Sequence, residues 1–349
     1  MELIFSNLII NWYLSHKRIL PWREISDPYK IWVSEIILQQ TRIAQGLNYY
    51  LRFLEKFPNI ATLANASEDE VLLQWQGLGY YSRARNMHKT AKEIMEIHHG
   101  KFPTDYESIR ALKGIGDYTA AAIASFAYNL PHAVLDGNVF RVLSRYFAID
   151  TPIDSTTGKK QFSELAQELL NLKNPALYNQ GIMDLGATVC LPSSPNCEDC
   201  PLQNSCLAYG NNTQTNFPVK EKKLIQKDRY FIYLVITDTT NHFFLHRRIA
   251  KDIWQGLYEF PLVELTHPFN DPSQSEEIIS ALSDEFSDIT ITAVKPTIKH
   301  VLSHQNIYAQ FVEATGKYKK KCDSKYIKVP KSQIANYAVS RLTELYLDN

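Results

Sequence analysis

The chain has 349 residues, of which 45% are hydrophobic and 21% are charged, so it is long enough for two domains and a sizeable buried core. Basic and acidic residues number 37 each, and the zero net charge disfavours a general polyanion binder without excluding local basic patches. No apolar segment reaches the roughly 18 residues of a membrane span, and the basic residues of the N-terminal segment follow its apolar part, unlike those of a signal peptide. We therefore expect a soluble, intracellular protein of the cytoplasm.

The region up to about residue 207 has the pattern of an α-helical domain. Apolar residues recur at intervals of three and four, as in PYKIWVSEIILQQTRIAQGLNYYLRFLEKF. Start and stop signals divide the region: Asp27-Pro28, Phe57-Pro58, a capping box from Ser67 to Glu70, and Pro103-Thr104. These signals predict about ten helices joined by short polar connections.

The pattern changes after Cys206. Residues 209–228 are polar, lack apolar periodicity and are typical of a linker. Beyond them, RYFIYLVITD and HFFLHRR are two β-rich runs around the short turn TTN, which predicts a hairpin. QNIYAQFVEAT predicts a further strand, whereas SEEIISALSDEF and KSQIANYAVSRLTELYL predict helices. We therefore expect a mainly α-helical domain at residues 1–208 and a smaller α+β domain at residues 229–349.

Four of the five cysteines fall within one short window: Cys190, Cys197, Cys200 and Cys206. Their spacing, Cys-x6-Cys-x2-Cys-x5-Cys, lies in a loop rich in proline and asparagine. A cluster of thiols in an intracellular chain indicates a metal site and disfavours disulfides. Soft thiolate ligands suit an iron–sulfur cluster or zinc, and the spacing alone leaves both open. The fifth, Cys322, stands apart and is interpreted as a plain thiol.

Two glycine turns are candidates for contact with a nucleic acid. Gly114-Ile115-Gly116 separates two helical segments, and such a turn exposes backbone N–H groups that can bind a phosphate. Most turns of this kind only connect helices, so the motif alone is a weak signal. GLGYYSRARN at residues 77–86 adds a second turn with aromatic and arginine side chains, which suit phosphate contact and base stacking.

Two carboxylic acids are candidates for acid–base chemistry. Asp136 precedes Gly137 and Asn138 at a helix start, where capping is a sufficient explanation. Glu35 lies off the main apolar stripe of its helix, and composition slightly favours a surface position. If both faces of that helix are covered, desolvation raises the pKa of Glu35 and suits it to general-acid catalysis near neutral pH. A protonated Glu beside an ionised Asp is the pair that cleaves glycosidic bonds.

Six motifs lie upstream of or at the cysteine loop. They are LPWR (20–23), SEIILQQTR (34–42), GLGYYSRARN (77–86), LKGIGDYTA (112–120), LDGNVFRVLSR (135–145) and GIMDLGATVC (181–190). Together with the cysteine loop, they resemble the motifs of helix-hairpin-helix DNA glycosylases, and within these the MutY-type adenine DNA glycosylases. The resemblance covers nearly the whole chain, and the cysteine spacing downstream of the hairpin is its most specific part.

The resemblance implies a monofunctional glycosylase that hydrolyses the N-glycosidic bond of a flipped-out adenosine mispaired with 8-oxoguanine or guanine. It also implies that the four clustered cysteines ligate one [4Fe–4S] cluster instead of zinc. Glu35 would protonate the leaving purine, Asp136 would stabilise the cationic sugar, and Asn138 would orient water or Asp136. Tyr118 stands where relatives that also cut the strand have a lysine. Because tyrosine cannot form an imine, the resemblance implies base removal without efficient strand cleavage.

The resemblance further implies contacts with double-stranded DNA that contains the mispair. Gln40 and Tyr80 match positions that wedge beside the mispaired base, whereas Trp22, Arg23 and Gln180 match positions along the adenine pocket or its approach. The remaining expected DNA contacts in the helical domain are Thr41, Leu78, Gly79, Gly114 and Gly116. We expect a monomer that acts at the nucleoid of a bacterial cell.

The C-terminal region resembles a Nudix domain in the stretch WQGLYEFP at residues 254–261. The acidic helix that binds magnesium in Nudix hydrolases is missing, because SEEIISALSDEF lacks the Arg-Glu then Glu-Glu arrangement. The resemblance therefore implies a catalytically silent domain that reads 8-oxoguanine opposite the adenine. LSHQ matches the recognition loop, normally Phe-Ser-His, so Ser303 and His304 are expected DNA contacts, and Leu302 replaces an aromatic ring.

Three alternatives are weighed against this interpretation. A bifunctional glycosylase/lyase of the endonuclease III class is disfavoured by Tyr118 and by the C-terminal domain. A non-catalytic iron–sulfur DNA-binding protein would keep the hairpin and the cysteines without needing the Glu35 and Asp136 pair. A Nudix pyrophosphatase with a helical appendage is disfavoured by the broken magnesium motif.

Overall fold

A computed structural model describes residues 2–221, 226–269, 275–319 and 325–348. Cys322 and residues 222–225 of the predicted linker lie outside these ranges. The chain forms two compact units, the first made of Met1–Asn65 and Asn86–Lys222, the second of Ala66–Arg85 and Lys223–Asn349. Residues 66–85 lie within the helical region of the sequence but belong to the second unit, together with the C-terminal residues. No helix in the described ranges is long and apolar enough to cross a membrane.

The helices follow the start signals in the sequence. Asp27 caps the helix that begins at Pro28, Ser67 and Glu70 form the predicted capping box of the helix that begins at Glu68, and Asp136 caps the helix that begins at Gly137. The described helices are α1 Glu2–His16, α2 Pro28–Leu38, α3 Ile43–Lys56, α4 Ile60–Asn65, α5 Glu68–Trp75, α6 Ser82–Ile97, α7 Tyr106–Ala111, α8 Asp117–Tyr128, α9 Gly137–Tyr146, α10 Thr156–Glu168, α11 Pro175–Thr188, α12 Leu207–Gly210, α13 Ser275–Ala281 and α14 Arg341–Leu347.

The first unit is helical throughout its described residues and is built around an apolar core. The core takes residues from α1, α8, α9, α10 and α11, among them Phe5, Leu143, Phe162 and Leu185. Residues 209–221 pack onto this unit by backbone bonds, since the N–H of Ile153 donates to the carbonyl of Val219 at 3.0 Å.

The second unit contains a mixed sheet. Its described strands are β1 Lys227–Thr237, β2 His242–Arg247, β3 Tyr258–Glu259, β4 Leu262–Leu265, β5 Phe286–Val294, β6 Ile298–Val301, β7 Gln305–Tyr318 and β8 Ile327–Pro330. Strands β1 and β7 lie parallel at the centre, and β2 pairs with β1 in the predicted antiparallel hairpin. The sheet is covered on both faces, because alternate residues of β1 enter two different apolar clusters.

The last predicted helix is wrong in part. KSQIANYAVSRLTELYL forms a short 3-10 turn at Lys331–Asn336 and a separate helix, α14. The residues that divide them pair with β3, since the N–H of Tyr258 donates to the carbonyl of Ala338 at 2.7 Å. Strand pairing thus overrides the helical periodicity of the segment.

Candidate active site

A cavity of about 450 Å³ opens in the first unit. It collects side chains from the end of α2, the start of α8, the start of α9, the C-terminal half of α11 and the segment that precedes α2. Seven sequence-predicted residues line it: Trp22, Arg23, Glu35, Thr41, Tyr118, Asp136 and Asn138. The fold therefore brings together residues that are up to 116 positions apart in the sequence.

Glu35 is buried at the wall of this cavity, with 6% of its surface exposed. The hydroxyl of Tyr118 donates to Glu35 Oε2 at 2.6 Å. Burial raises the pKa of Glu35, and the nearby Asp136 carboxylate adds to the rise, while Tyr118 and Arg23 oppose it. The raised pKa keeps a proton on this carboxyl group to higher pH than on an ordinary glutamic acid.

The surface position that composition slightly favoured for Glu35 is wrong. Helix α2 is buried on more than one face, because Ile31, Trp32, Val33 and Ile36 are all buried around it. A helix covered on several sides has no solvent face for a charged residue.

Asp136 caps α9 and has a richer set of donors than Glu35. Its Oδ1 accepts from the backbone N–H groups of Asn138 at 2.9 Å and Val139 at 2.8 Å, and its Oδ2 accepts from Asn138 Nδ2 at 2.7 Å. Burial raises the pKa of Asp136, whereas these donors and Arg141 favour the ionised form. Capping and facing the cavity are therefore compatible roles for this carboxylate.

Asn138 is held from its other side by Arg141. The Arg141 guanidinium donates to Asn138 Oδ1 at 2.8 Å, to the carbonyl of Gly186 at 2.6 Å and to the carbonyl of Cys190 at 2.7 Å. Asn138 therefore has a fixed orientation, with its amide nitrogen directed at Asp136.

A carboxylate missed by the sequence analysis lies behind the cavity wall. Asp184 on α11 is 1% exposed in its side chain and accepts hydrogen bonds from Arg18 and, at 2.9 Å, from Arg23. Both arginines line the cavity. Only the motif GIMDLGATVC contained a signal for this residue, because its partners lie more than 160 positions away.

The predicted glycine turn joins α7 and α8. Gly114 has φ +77°, and a Cβ there would lie 2.8 Å from the Asn86 Cβ, so the turn requires glycine. Gly116 is the N-cap of α8, and a Cβ there would meet no heavy atom within 4 Å. Gly116 and Asp117 are exposed, so α8 begins at the surface of the unit.

The four clustered cysteines line a second, smaller cavity of the first unit. Arg145 Nη1 donates to Cys190 Sγ at 3.4 Å. Burial raises the pKa of the Cys200 thiol to about 12, and burial also raises the pKa values of Cys197 and Cys206. Within the described residues, no three His, Cys, Asp or Glu side chains are grouped closely enough to hold one metal ion.

The second unit has its own cavity, of about 540 Å³. It is lined by five sequence-predicted residues, namely Leu78, Gly79, Tyr80, Ser303 and His304. The Tyr80 and Ser303 hydroxyl groups are hydrogen-bonded to each other, so the two predicted DNA-contact loops meet in this unit. Leu302 turns the second loop, with its N–H donating to the carbonyl of Gln305 at 2.8 Å.

Besides Gly114 and Gly116, two further predicted site residues lie away from these cavities in the described part of the chain. Gln40 is exposed directly after α2, with φ +56°. Gln180 accepts a hydrogen bond from the Tyr13 hydroxyl at 2.6 Å and does not line the cavity that holds Glu35.

Comparison with known protein families gives two matches along the chain. Residues 33–171 match the HhH-GPD superfamily of base excision DNA repair proteins, and residues 232–349 match the NUDIX domain. Among solved structures, a thermostable thymine-DNA glycosylase is 28% identical with a TM-score of 0.56, covering 60% of this chain and 97% of its own. Endonuclease III in a trapped covalent intermediate with DNA, 18% identical with a TM-score of 0.52, shares the fold over 61% of this chain and 98% of its own.

These matches define a helix-hairpin-helix DNA glycosylase that carries a Nudix-like domain, which confirms the expected fold class. An adenine DNA glycosylase of Buchnera aphidicola subsp. Baizongia pistaciae is 38% identical over 309 residues, covering 88% of this chain and 84% of that relative. The human adenine DNA glycosylase is 42% identical over 213 residues, covering 58% of this chain and 39% of that protein. The chain belongs to the adenine DNA glycosylase family and is an enzyme.

Proposed function

We propose that the protein is a monofunctional glycosylase that removes adenine mispaired with 8-oxoguanine or guanine in DNA. The main support is the buried Glu35, which is hydrogen-bonded to Tyr118 and shares one cavity with Asp136, the N-cap of α9. Such an acid–carboxylate pair suits cleavage of a glycosidic bond. The excised base is inferred to be adenine, because the named relatives are adenine DNA glycosylases.

The reaction follows from the protonation states of the two carboxyl groups. The adenine leaves the base stack to enter the cavity, since its glycosidic bond is inaccessible in a duplex. Glu35 gives its proton to the purine as the bond from nitrogen to C1′ breaks, and the bonding electrons leave with the base. Ionised Asp136 stabilises the cationic sugar, water adds to C1′, and the proton released by the water returns to a carboxylate. Asn138 holds Asp136 in place.

Tyr118 accounts for base removal without strand cleavage. Strand cleavage by a related lyase requires an amine that attacks C1′ and forms an imine. Tyr118 offers a hydroxyl group, and that group is already engaged with Glu35 at 2.6 Å. The product is therefore an intact strand with an abasic site.

The donor set of the cysteine cavity suits a [4Fe–4S] cluster. Cys190, Cys197, Cys200 and Cys206 would hold it, since four cysteine thiolates are the usual ligands of such a cluster, and the Arg145 guanidinium adds a donor to Cys190. Bound iron would draw the buried thiols into the thiolate form, against the burial that raises their pKa values. When bound, the cluster would serve as a structural cross-link of the loop.

Recognition of the mispair is assigned to surfaces on both units. Ser303 and His304 would contact the base opposite the adenine, with Leu302 as an apolar contact, and Leu78 and Gly79 would contact the DNA. Gly114 and Gly116 would bind the DNA backbone through exposed N–H groups. Gln40 and Tyr80 would wedge beside the mispaired base, and Thr41 would contact the DNA. Trp22, Arg23 and Gln180 would serve the adenine pocket or its approach.

The domain boundaries and the assembly state complete the proposal. In sequence, the glycosylase domain would span residues 1–208 and the Nudix-like domain, which reads the base opposite the adenine, residues 229–349. Residues 209–228 would link them, although those up to 221 pack on the helical unit and residues 66–85 group with the C-terminal unit. One chain contains both cavities, so a monomer suffices for the reaction.

The Glu35→Gln variant tests the proposal. It removes the transferable proton and keeps the size of the side chain, so excision of adenine opposite 8-oxoguanine should fall by about 10² to 10⁴-fold in single turnover. Binding of the same duplex, measured by fluorescence anisotropy, should stay within about threefold of wild type. Excision near the wild-type rate would overturn the role of Glu35, and an inactive wild type that binds the duplex would overturn the proposed function.

A further inference from the structure

The buried carboxylate of Asp184 is shared by two arginines on the wall of the catalytic cavity. Its Oδ1 accepts from Arg18 and from Arg23 at 2.9 Å, and the side chain is only 1% exposed. Its Oδ2 is buried and has no hydrogen-bond partner in the described residues. Two cations thus meet one anion, which leaves one net positive charge beside the cavity.

We propose that Asp184 is a positioning residue that aims Arg18 and Arg23 at the catalytic cavity and limits the positive charge that reaches Glu35. The inference rests on the proposed function, because it concerns the acid that would protonate the adenine. Asp184 itself does not line the cavity, so its effect passes through the two arginines, which do.

Arg23 is the cation that connects the group of Arg18, Arg23 and Asp184 to Glu35. Tyr118 from α8, Asp136 from the start of α9 and Arg23 from the segment before α2 act on the pKa of Glu35. The other charged groups that line the same cavity are Arg18, Arg42 and Arg141. Arg23 is held from two sides, by Asp184 and by the Phe126 ring, whose centre lies 6.0 Å from the guanidinium carbon. Its side chain is 9% exposed, so solvent screens its charge weakly.

Changes of charge among Arg18, Arg23 and Asp184 should therefore move the pH dependence of excision. The reaction needs Glu35 protonated, so the rate falls as pH rises through the pKa of Glu35 on the alkaline side. Asp184→Asn removes the balancing anion, and the stronger field of Arg23 lowers that pKa. Arg18→Met removes one cation, Asp184 then neutralises Arg23, and the pKa rises.

The experiment measures single-turnover rates of adenine excision against pH for wild type, Asp184→Asn, Arg18→Met and the double variant. The alkaline limb should move to lower pH by about one unit in Asp184→Asn and to higher pH in Arg18→Met. It should return close to the wild-type position in the double variant, which restores the charge balance.

A purely structural ion pair would give a different result. Both single variants would then lose stability and active fraction while the alkaline limb stayed in place, and that outcome would overturn the inference. If Asp184→Asn fails to fold, Arg18→Met still tests the inference. This variant leaves Arg23 and Asp184 as a neutral buried pair and should move the alkaline limb to higher pH. An unmoved limb with normal wild-type excision overturns only this inference, whereas an inactive wild type overturns the proposed function as well.

Discussion

Two buried glutamic acids, Glu35 in the first unit and Glu259 in the second, show how similar burial serves different purposes. Glu35 is 6% exposed and Glu259 is 2% exposed, and burial raises the pKa of both, that of Glu259 to about 7. Both oxygens of Glu259 accept from Arg248 at 2.9 Å, and Tyr233 donates to one of them at 3.3 Å. Glu35 has the Tyr118 hydroxyl and borders a cavity.

The difference lies in what the carboxyl group can still do. A carboxylate whose two oxygens both accept from an arginine has a structural role, and removing it deprives a buried cation of an ion pair. A carboxyl group with a hydroxyl donor and an open cavity can exchange a proton with a ligand. Burial and a raised pKa are thus shared features, and the partners decide between a structural and a catalytic role.

After Glu35→Gln, the largest effect is expected for Asp136→Asn, which removes the second carboxylate of the cavity. Asparagine caps a helix about as well as aspartate, so the helix should persist while the cationic sugar loses its counter-charge. The single-turnover excision rate should fall by about 10² to 10³-fold. Asp105→Asn, the same change at the N-cap of α7, is the matched control and should leave the rate unchanged. Equal losses in both variants would show that capping, not chemistry, explains Asp136.

A separable effect is expected for Glu259→Gln, which changes stability but not chemistry. Arg248 would keep its ion pair with Asp252 at 3.0 Å but lose the one with Glu259, at a cost of about 3 kcal/mol in the free energy of unfolding, measured by urea denaturation. The excision rate per folded molecule should remain within about twofold of wild type. A large rate loss without a stability loss would erase the distinction drawn between the two glutamic acids.

The smallest change in free energy is expected for Tyr118→Phe, which removes one hydrogen bond to Glu35. Losing a hydrogen bond worth about 1 kcal/mol should slow excision by roughly tenfold or less. Tyr29→Phe is the matched control, because Tyr29 also donates a buried bond of 2.6 Å, to the carbonyl of Phe57. A rate in Tyr118→Phe equal to that of the control would mean that Tyr118 does not orient the acid.

Local signals in the sequence predicted much of the scaffold. The capping box of α5, the cap at Asp136, the glycine turn and the β1–β2 hairpin depend on residues within a few positions of each other. The family was also identifiable from its motifs, since these are short stretches around the site residues. The confirmed features are those whose determinants are close together in the chain.

Features set by distant partners could not be predicted in this way. The burial of Glu35 depends on what covers α2, and a helical wheel of α2 alone carries no such information. Asp184 escaped notice because its partners Arg18 and Arg23 lie at the other end of the first unit's sequence. The end of KSQIANYAVSRLTELYL was misjudged because residues near Ala338 pair with β3. In each case tertiary contacts decide the outcome.

The most direct test of the account is a single-turnover reaction on duplexes with adenine opposite 8-oxoguanine, guanine or thymine, analysed before and after alkali. The account predicts strand breaks only after alkali, and only where adenine is mispaired with 8-oxoguanine or guanine. Breaks that appear without alkali would contradict the monofunctional mechanism in which Tyr118 replaces an amine. Binding of the mispaired duplexes with no breaks after alkali would contradict the enzyme mechanism built on Glu35 and Asp136.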